Sequence, residues 1–227
     1  MKDSVKEFLT NFKITEEDIL KFAKESSIFV EYDKGKLSWD SIIDTILDGE
    51  LIYVRSYGNN KDSKNLTQPQ EIIKDFYKHY FGVNSICLDP DNNKIPHQWM
   101  ERWTGFKKNQ SIVNYKLSHI WEKNLNPYAF NAPWNLVFTS IFIDPFTGHE
   151  SSGNLRNKVK GFIKGQALNV YENEIIQFNN IMDEKNHLLE EFLEFDFIKK
   201  YDISKKQDAA LRRSLIRSFS PIDLDES

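Results

Sequence analysis

The stretch Tyr115–Glu150, YKLSHIWEKNLNPYAFNAPWNLVFTSIFIDPFTGHE, holds the pattern that decides the fold. An apolar run that ends near His119 predicts one strand, and a second apolar run, Leu136–Ile143, predicts another after a polar loop. Asn135 opens the second run, sixteen residues after His119. The turn-like letters DPFTG come next, and His149 follows them, fourteen residues after Asn135 and ahead of a helical pattern. The stretch therefore predicts a strand, a loop, a strand and a helix, in that order.

This order of residues resembles the HNH, or ββα-metal, nuclease motif. The resemblance implies an α+β fold in which a ββα-metal core is embedded in a mostly helical chain. It also implies that His119 is the general base, that Asn135 holds the loop so that this histidine is oriented, and that His149 helps to bind a divalent metal. A neutral imidazole suits the first role because its unperturbed pKa of about 6.5 lets it accept a proton near neutral pH.

The sequence departs from the common pattern of that family directly before the first histidine. Many members carry there an aspartate that binds the metal, whereas this chain has Ser118, a poor ligand for a hard cation. The metal, expected to be Mg²⁺ or Mn²⁺, would then be met by His149 together with Asp144, Glu150, a carboxylate outside the motif, or water. Absence of the metal from this member is the other possibility. The chain is thus identified as a divergent member.

Basic and amide side chains around the motif are candidates for contact with nucleic acid. Lysines bind phosphates, which supplies affinity and orientation, while amides in the connecting loop can read base edges. The same amides are equally typical of residues that only shape turns. The candidates are Lys107, Lys108, Lys116, Lys123, Asn126 and Asn131.

The composition bounds the class of protein. The chain has 227 residues, 40% of them hydrophobic, which is enough for a substantial core. Its single cysteine, Cys87, excludes an intramolecular disulfide and a cysteine-rich zinc site. No apolar run approaches the roughly 18 residues of a membrane span, and the N-terminus lacks the form of a signal peptide. We therefore expect a cytoplasmic protein with no membrane partner.

The net charge of −4 conceals an uneven distribution along the chain. Residues 103–170 hold eight Lys/Arg and three Asp/Glu, and residues 198–217 hold seven and two. Between them, residues 171–197 hold eight Asp/Glu and one Lys. The two basic blocks could together form a phosphate-binding surface, or could simply be solvated helix faces.

Periodicity divides the chain into three segments: an α-rich region of unknown role at 1–96, the HNH-like module at 97–172, and C-terminal helices at 173–227. In the first segment, a capping box at Thr15 and Asp18 marks a helix start. The predicted helices cover residues 5–12, 15–22, 38–47, 70–80, 155–163, 175–197 and 209–219, and further strands are predicted at 28–32 and 51–57.

The function that the resemblance implies is that of a metal-dependent endonuclease. We expect double-stranded DNA as the substrate and a role in restriction or defence against foreign DNA. A homodimer is compatible with this function, since a double cut suits a symmetric pair. One alternative is an HNH-like module without a metal that only binds nucleic acid, in keeping with Ser118. Another is a helical interaction or assembly protein, in which the long acidic helix and the basic terminal helix serve association.

Overall fold

Helices surround two small sheets in this α+β chain. A computed structural model describes residues 2–58, 65–82, 85–89, 91, 93–148 and 151–224. Within them the helices are α1 (Ser4–Phe12), α2 (Glu16–Ser26), α3 (Tyr32–Leu47), α4 (Gln68–Phe81), α5 (Lys94–Thr104), α6 (Pro127–Phe130), α7 (Asp144–Thr147), α8 (Asn154–Glu184), α9 (Asn186–Leu193), α10 (Phe197–Tyr201) and α11 (Lys205–Phe219). The strands are β1 (Ile52–Val54), β2 (Ile86–Leu88), β3 (Tyr115–His119) and β4 (Leu136–Ser140).

The predicted hairpin is present as the antiparallel pair β3 and β4. Its register runs from Tyr115 opposite Ser140 to His119 opposite Leu136. The four-residue helix α7 and the long helix α8 follow it directly. The second sheet joins β1 and β2 in parallel, and α4 connects the two strands.

Local sequence signals fix where several helices begin. The predicted capping box is confirmed at α2, where the Thr15 hydroxyl accepts the Asp18 N–H at 3.1 Å and the Asp18 carboxylate accepts the Thr15 N–H at 2.9 Å. Helix α5 begins where the buried carboxylate of Asp89 accepts the N–H groups of Lys94 and Ile95. These caps satisfy backbone donors that have no partner inside the helix.

Two predicted elements are wrong. The strand expected at 28–32 is a single bridge, in which Ile28 and Phe138 exchange backbone hydrogen bonds, and α3 already begins at Tyr32. The long helix expected at 175–197 is instead the end of α8, then α9, then the start of α10. Apolar periodicity continues through both breaks, so the pattern alone does not reveal them.

Helix α8 lies along the core and runs for 31 residues. A buried stripe that includes Leu155, Val159, Ile163 and Ala167 faces the interior, while the other faces carry charged residues. The dihedral angles of Tyr171 are non-helical, which marks a kink. In the part of the chain that the structure describes, no helix is both long and apolar enough to cross a membrane.

One apolar core joins the three segments that the sequence suggested. Trp39 from the first segment, Trp134 from the second and Phe178 from the third are all fully buried. The rings of Trp39 and Trp134 are 5.7 Å apart between centroids, and those of Trp134 and Phe178 are 5.0 Å apart. The segments 1–96, 97–172 and 173–227 thus pack around shared aromatic contacts.

Gly35 is required where α3 crosses α8. A Cβ atom at Gly35 would lie 2.2 Å from the Tyr171 hydroxyl oxygen, which itself donates to the Val30 carbonyl at 2.5 Å. We expect Gly35→Ala to lower the free energy of unfolding by about 2 kcal/mol, since overpacking of a filled core costs about 1–3 kcal/mol. Urea denaturation measures this change.

Gly161→Ala is the matched control, because a Cβ atom there meets no atom within 4 Å. Alanine is the better helix former by about 1 kcal/mol, so this variant is expected to be more stable than the parent. Equal stability of Gly35→Ala and the parent would contradict the close packing of α3 on α8.

Candidate nuclease site

The side chain of His119 lies at the end of β3, where the hairpin opens into the connecting loop. Its ring is 9% exposed and stacks on Phe130, with centroids 5.3 Å apart and planes inclined by 10°. Nε2 lies 3.1 Å from the carbonyl oxygen of Phe130. Because a carbonyl only accepts, Nε2 carries the hydrogen, and Nδ1 then holds the lone pair.

Asn135 ties the loop between β3 and β4 together. Its Oδ1 accepts the Trp121 N–H at 2.9 Å, and its Nδ2 donates to the Ala129 carbonyl at 2.9 Å. Its own backbone adds bonds to the Ile120 N–H and the Ala132 carbonyl. The side chain is fully buried, so these bonds replace the hydrogen bonds that water makes to it in the unfolded chain. Asn135 thereby fixes the shape of the loop that carries Phe130.

Ser118 and Asp144 face each other across β3 and α7. Ser118 Oγ donates to Asp144 Oδ1 at 3.1 Å, and Thr147 Oγ1 lies 3.1 Å from Ser118 Oγ. Lys116 Nζ is 2.9 Å from the other carboxylate oxygen of Asp144. The carboxylate of Asp144 therefore stands next to the position that holds aspartate in the common HNH pattern.

A cavity of about 480 Å³ opens in front of these groups. It is polar, and it brings together residues from the hairpin, the loop, α7, the end of β1 and the last turn of α11. The lining residues are Arg55, Asn93, Lys116, Leu117, Ser118, His119, Glu122, Asn124, Asp144, Thr147, Gly148 and Arg217.

The environment of His119 keeps its imidazole neutral. Burial lowers the pKa of His119 to about 3, the hydrogen bond to Phe130 opposes that shift, and the positive charge of Arg55 adds to it. Desolvation disfavours the charged ring, and a nearby cation does the same. The ring is therefore uncharged at neutral pH and, without a bound anion, is a weaker base than the unperturbed histidine that the sequence suggested.

The described residues supply one carboxylate suited to a metal at this cavity. Asp144, whose side chain is 13% exposed, lines it together with the Ser118 hydroxyl. Mg²⁺ is commonly held by one or two carboxylates with water and substrate phosphate, so this donor set fits such an ion. Across the described part of the chain, no three His, Cys, Asp or Glu side chains group as a metal site. The predicted ligands His149 and Glu150 lie outside the described residues.

Three of the residues proposed to contact nucleic acid are buried. Lys123 is 5% exposed and its Nζ donates to the Arg217 carbonyl at 3.0 Å. Asn126 is fully buried, caps α6 through the Tyr128 N–H, and donates to the Ser218 carbonyl. Asn131 is 7% exposed at the end of α6. Lys123 and Asn126 hold the loop against the C-terminal helix, whereas Asn131 lines a separate small pocket beside β1 and α5.

The other three candidates are exposed lysines in different places. Lys116 lines the cavity and pairs with Asp144. Lys107 and Lys108 lie in the turn before β3, outside the set of residues that lines the cavity. The structure thus brings one of the six predicted contacts, Lys116, to the side chains of His119 and Asp144.

Sequence reasoning missed the cavity residues that come from outside the motif. Arg55 follows β1, and Arg217 lies in the last turn of α11. Glu122 adopts the left-handed conformation with φ of 55°, which is uncommon outside glycine and is a weak signal of a functional position. Nothing in the sequence of β1 or α11 shows that either element reaches the loop.

The family described as Uncharacterised protein PM1201 matches residues 30–224 of this chain. The chain is similar to the protein named Uncharacterized protein PM1201 from Pasteurella multocida (strain Pm70), with 39% identity over 194 residues. That alignment covers 85% of each of the two proteins. No solved structure matches the chain.

Removing the side chain of Asn135 is expected to destabilise the loop and with it the fold. Asn135→Ala leaves the buried Trp121 N–H without a partner, at about 1–3 kcal/mol, and removes one of the hydrogen bonds that the Ala129 carbonyl accepts, at about 0.5–1.5 kcal/mol. Urea denaturation should therefore show a decrease of about 2–4 kcal/mol in the free energy of unfolding. The control is Asn157→Ala at an exposed position of α8, expected to change stability by less than about 0.5 kcal/mol. A similar small effect for both variants would contradict the role of Asn135.

Lys123 is expected to make stability rise with pH in the alkaline range. Burial lowers its pKa to about 8 in the folded protein, below the usual value of about 10.4 in an unfolded chain. Between these values the unfolded state binds more protons, so stability increases by up to about 1.4 kcal/mol per pH unit.

Unfolding in urea between about pH 8 and 9 measures this rise, which the variant Lys123→Met removes. Higher pH is avoided because burial raises the pKa of several tyrosines, so stability falls once tyrosine ionises in the unfolded chain near about pH 10. Lys24→Met, at an exposed position of α2, should keep the rise. The same pH dependence in all three proteins would show that Lys123 is not the group responsible.

Proposed function

We propose that this chain, which belongs to the family described as Uncharacterised protein PM1201, is a metal-dependent endonuclease that hydrolyses DNA phosphodiester bonds. The observation that carries the proposal is the placement of His119. Its neutral ring is fixed by the Phe130 carbonyl and lines a polar cavity that also contains the Asp144 carboxylate. A base, a carboxylate that can hold a cation, and basic side chains are the groups that phosphodiester hydrolysis requires.

His119 is suited to take the proton of an attacking water. Nδ1 of His119 accepts that proton, the water oxygen forms its bond to phosphorus, and the bond from phosphorus to the leaving oxygen breaks. The Phe130 carbonyl keeps its hydrogen bond to Nε2–H throughout, which stabilises the imidazolium that forms. A phosphodiester bound nearby would also raise the low pKa of His119, since an opposite charge favours the protonated ring.

Asn135 acts on this chemistry through the loop. It touches neither the cavity nor any group that reacts, but it holds Ala129 and Trp121 on opposite sides of the loop. Phe130 follows Ala129, so the carbonyl that orients His119 depends on these bonds. Asn135 is therefore a positioning residue.

Asp144 is the residue that we assign to a divalent cation, which His149 and Glu150 were also predicted to bind. Such an ion, when bound, supplies a positive charge that polarises the scissile phosphate and stabilises the leaving oxygen. The Ser118 hydroxyl orients the carboxylate of Asp144 by donating to Oδ1. Lys116 Nζ pairs with the other oxygen, Oδ2. A metal bound to that oxygen would weaken this ion pair.

The remaining cavity residues suit an anionic substrate. Arg55 after β1, Lys116 of β3 and Arg217 of α11 supply positive charge, although Lys116 pairs with Asp144 and Arg217 with Glu122. Phosphate contacts of this kind give affinity and orientation without reading the sequence. We infer double-stranded DNA as the substrate, and restriction or defence as the setting, from the resemblance to HNH nucleases.

A second function is favoured by one observation, the pair between Lys116 and Asp144. The ammonium group lies 2.9 Å from the carboxylate and occupies part of the space that a metal would take. With Ser118 in the place of the usual aspartate, the cavity could bind nucleic acid without cutting it. In that case DNA affinity would be unaffected by a chelator.

Plasmid cleavage tests the two functions directly. Supercoiled plasmid is incubated with the pure protein and Mg²⁺, Mn²⁺ or EDTA, and nicked and linear products are quantified. We expect metal-dependent nicking that His119→Ala reduces by about 10²–10⁴-fold, the usual contribution of a general base. Asp144→Asn is expected to raise the metal concentration needed for half-maximal rate.

His187→Ala serves as the control, since this exposed histidine of α9 does not line the cavity and its ring hydrogen-bonds to the Glu184 carbonyl. It should cleave like the parent. Full activity in His119→Ala would rule out the assigned base, and activity in EDTA would rule out the metal. Binding without cleavage under all conditions would favour the second function.

A further inference from the structure

A basic surface lies beside the cavity and is built from two helices that are distant in the sequence. On α8 the residues Arg156, Lys160 and Lys164 follow one another at intervals of four, so they project from one face. On α11 the residues Arg213 and Arg217 have the same spacing. We call these five residues the α8–α11 basic face.

The two helical parts of this face meet at the loop after β3. The Glu122 carboxylate pairs with Lys160 of α8 and, at 3.2 Å, with Arg217 of α11. Beneath it, burial lowers the pKa of Lys123, and the positive charges of Lys164 and Arg217 contribute to that shift. Both helices therefore bring cations to the same side of the loop.

Local composition makes this face strongly positive. Residues 151–170 include four Lys/Arg and no Asp/Glu, and α11 has five Lys/Arg and one Asp. That aspartate, Asp208, pairs with Arg212, which belongs to another side of the helix and donates to the carbonyls of Leu193 and Phe195. The Glu122 carboxylate pairs with two of the five cations of the face, so the face keeps a net positive charge.

The face is continuous with the cavity at two points. Arg217 belongs to both, because it also lines the cavity next to Glu122. At the other end, Arg156 Nε donates to the Gly148 carbonyl at 2.8 Å, and Gly148 lines the cavity too. An anionic polymer with one phosphate in the cavity can therefore extend over the face without a gap.

We propose that the α8–α11 basic face binds the sugar-phosphate backbone of the DNA that flanks the phosphate held in the cavity. This inference rests on the proposed function and identifies the surface that the flanking DNA contacts. From Arg156 to Lys164 the helix rises about 12 Å, at about 1.5 Å per residue. That length matches about three to four nucleotide steps of about 3.4 Å along one strand, so the face serves several phosphates.

Gly161 has no side chain, so no atom protrudes from α8 at this position between the charged side chains. It lies in α8 between Lys160 and Lys164, and a Cβ atom there would point into open space. A backbone of nucleic acid can then approach the helix closely between the charged side chains. The contacts are with phosphates, so the face is expected to act on all sequences alike.

The experiment measures DNA binding in the absence of cleavage. A fluorescein-labelled duplex of about two helical turns is titrated, in EDTA, with protein that carries His119→Ala, and anisotropy is recorded over a series of NaCl concentrations. The test variant adds Lys164→Gln and Arg213→Gln, two residues of the face that do not line the cavity. The control instead adds Lys74→Gln and Lys78→Gln, two exposed residues with the same spacing on α4. Circular dichroism confirms that each variant is folded.

The test variant is expected to bind several-fold more weakly than its parent. A plot of log affinity against log salt concentration has a negative slope, and its magnitude should decrease by about 1.8. Each phosphate that the protein no longer neutralises makes the slope less steep by about 0.9. The control should match the parent within about twofold, since its lysines make no phosphate contacts in this arrangement.

The outcomes separate this inference from the proposed nuclease activity. Equal salt-dependence slopes for the test and control variants would show that the basic face does not bind DNA. This conclusion would hold even if the wild-type protein cleaves plasmid and His119→Ala does not. A reduced slope in the test variant alone would support the face, even if the wild-type protein cleaves nothing. Failure of the parent to bind the duplex would overturn the face as a DNA surface.

Discussion

The carboxamide of Asn135 holds the loop between β3 and β4, and the cavity depends on the shape of that loop. The carboxamide oxygen accepts the Trp121 N–H, and the carboxamide nitrogen donates to the Ala129 carbonyl. The side chain is fully buried, so water does not reach these hydrogen bonds. An unsatisfied buried polar group costs more than a hydrogen bond contributes, so the loop has few alternative conformations. The same loop carries the Phe130 carbonyl that orients His119, and it carries Lys123 into contact with the end of α11. One side chain thus connects the hairpin, the histidine and the C-terminal helix.

Burial determines the charges at the cavity as much as residue type does. Low solvent access keeps His119 neutral and lowers the pKa of Lys123, while Asp144 is held between the Ser118 hydroxyl and the Lys116 ammonium group. In such surroundings electrostatic interactions are stronger than in water. A phosphate that enters the cavity meets the positive charges of Arg55 and Arg217, of which Arg217 also pairs with Glu122.

Prediction from the sequence succeeded for the hairpin and for most helices, but it did not reveal which side chains are buried between segments. The hairpin, the helices with capping residues and the α+β class follow from periodicity and from caps such as that of Thr15 and Asp18. Lys123, Asn126 and Asn131, which the sequence suggested as nucleic-acid contacts, are all buried, and α11 covers the part of the loop that contains the first two. A lysine in a loop is usually exposed, so only the packing of a distant helix reveals that this one is buried.

The sequence by itself determined that His119 ends a strand, that Asn135 precedes the next, and that a helix follows, since these features depend on neighbours within a few residues. Tertiary structure alone decided which other residues join them. Arg55 and Arg217 are 64 and 98 residues from His119 along the chain, and both reach its cavity. Local patterns state how each segment folds, but the contacts between segments are set by the burial of a common core, in which Trp39, Trp134 and Phe178 pack together. That packing brings β1 and α11 to the loop and places their charges around the histidine.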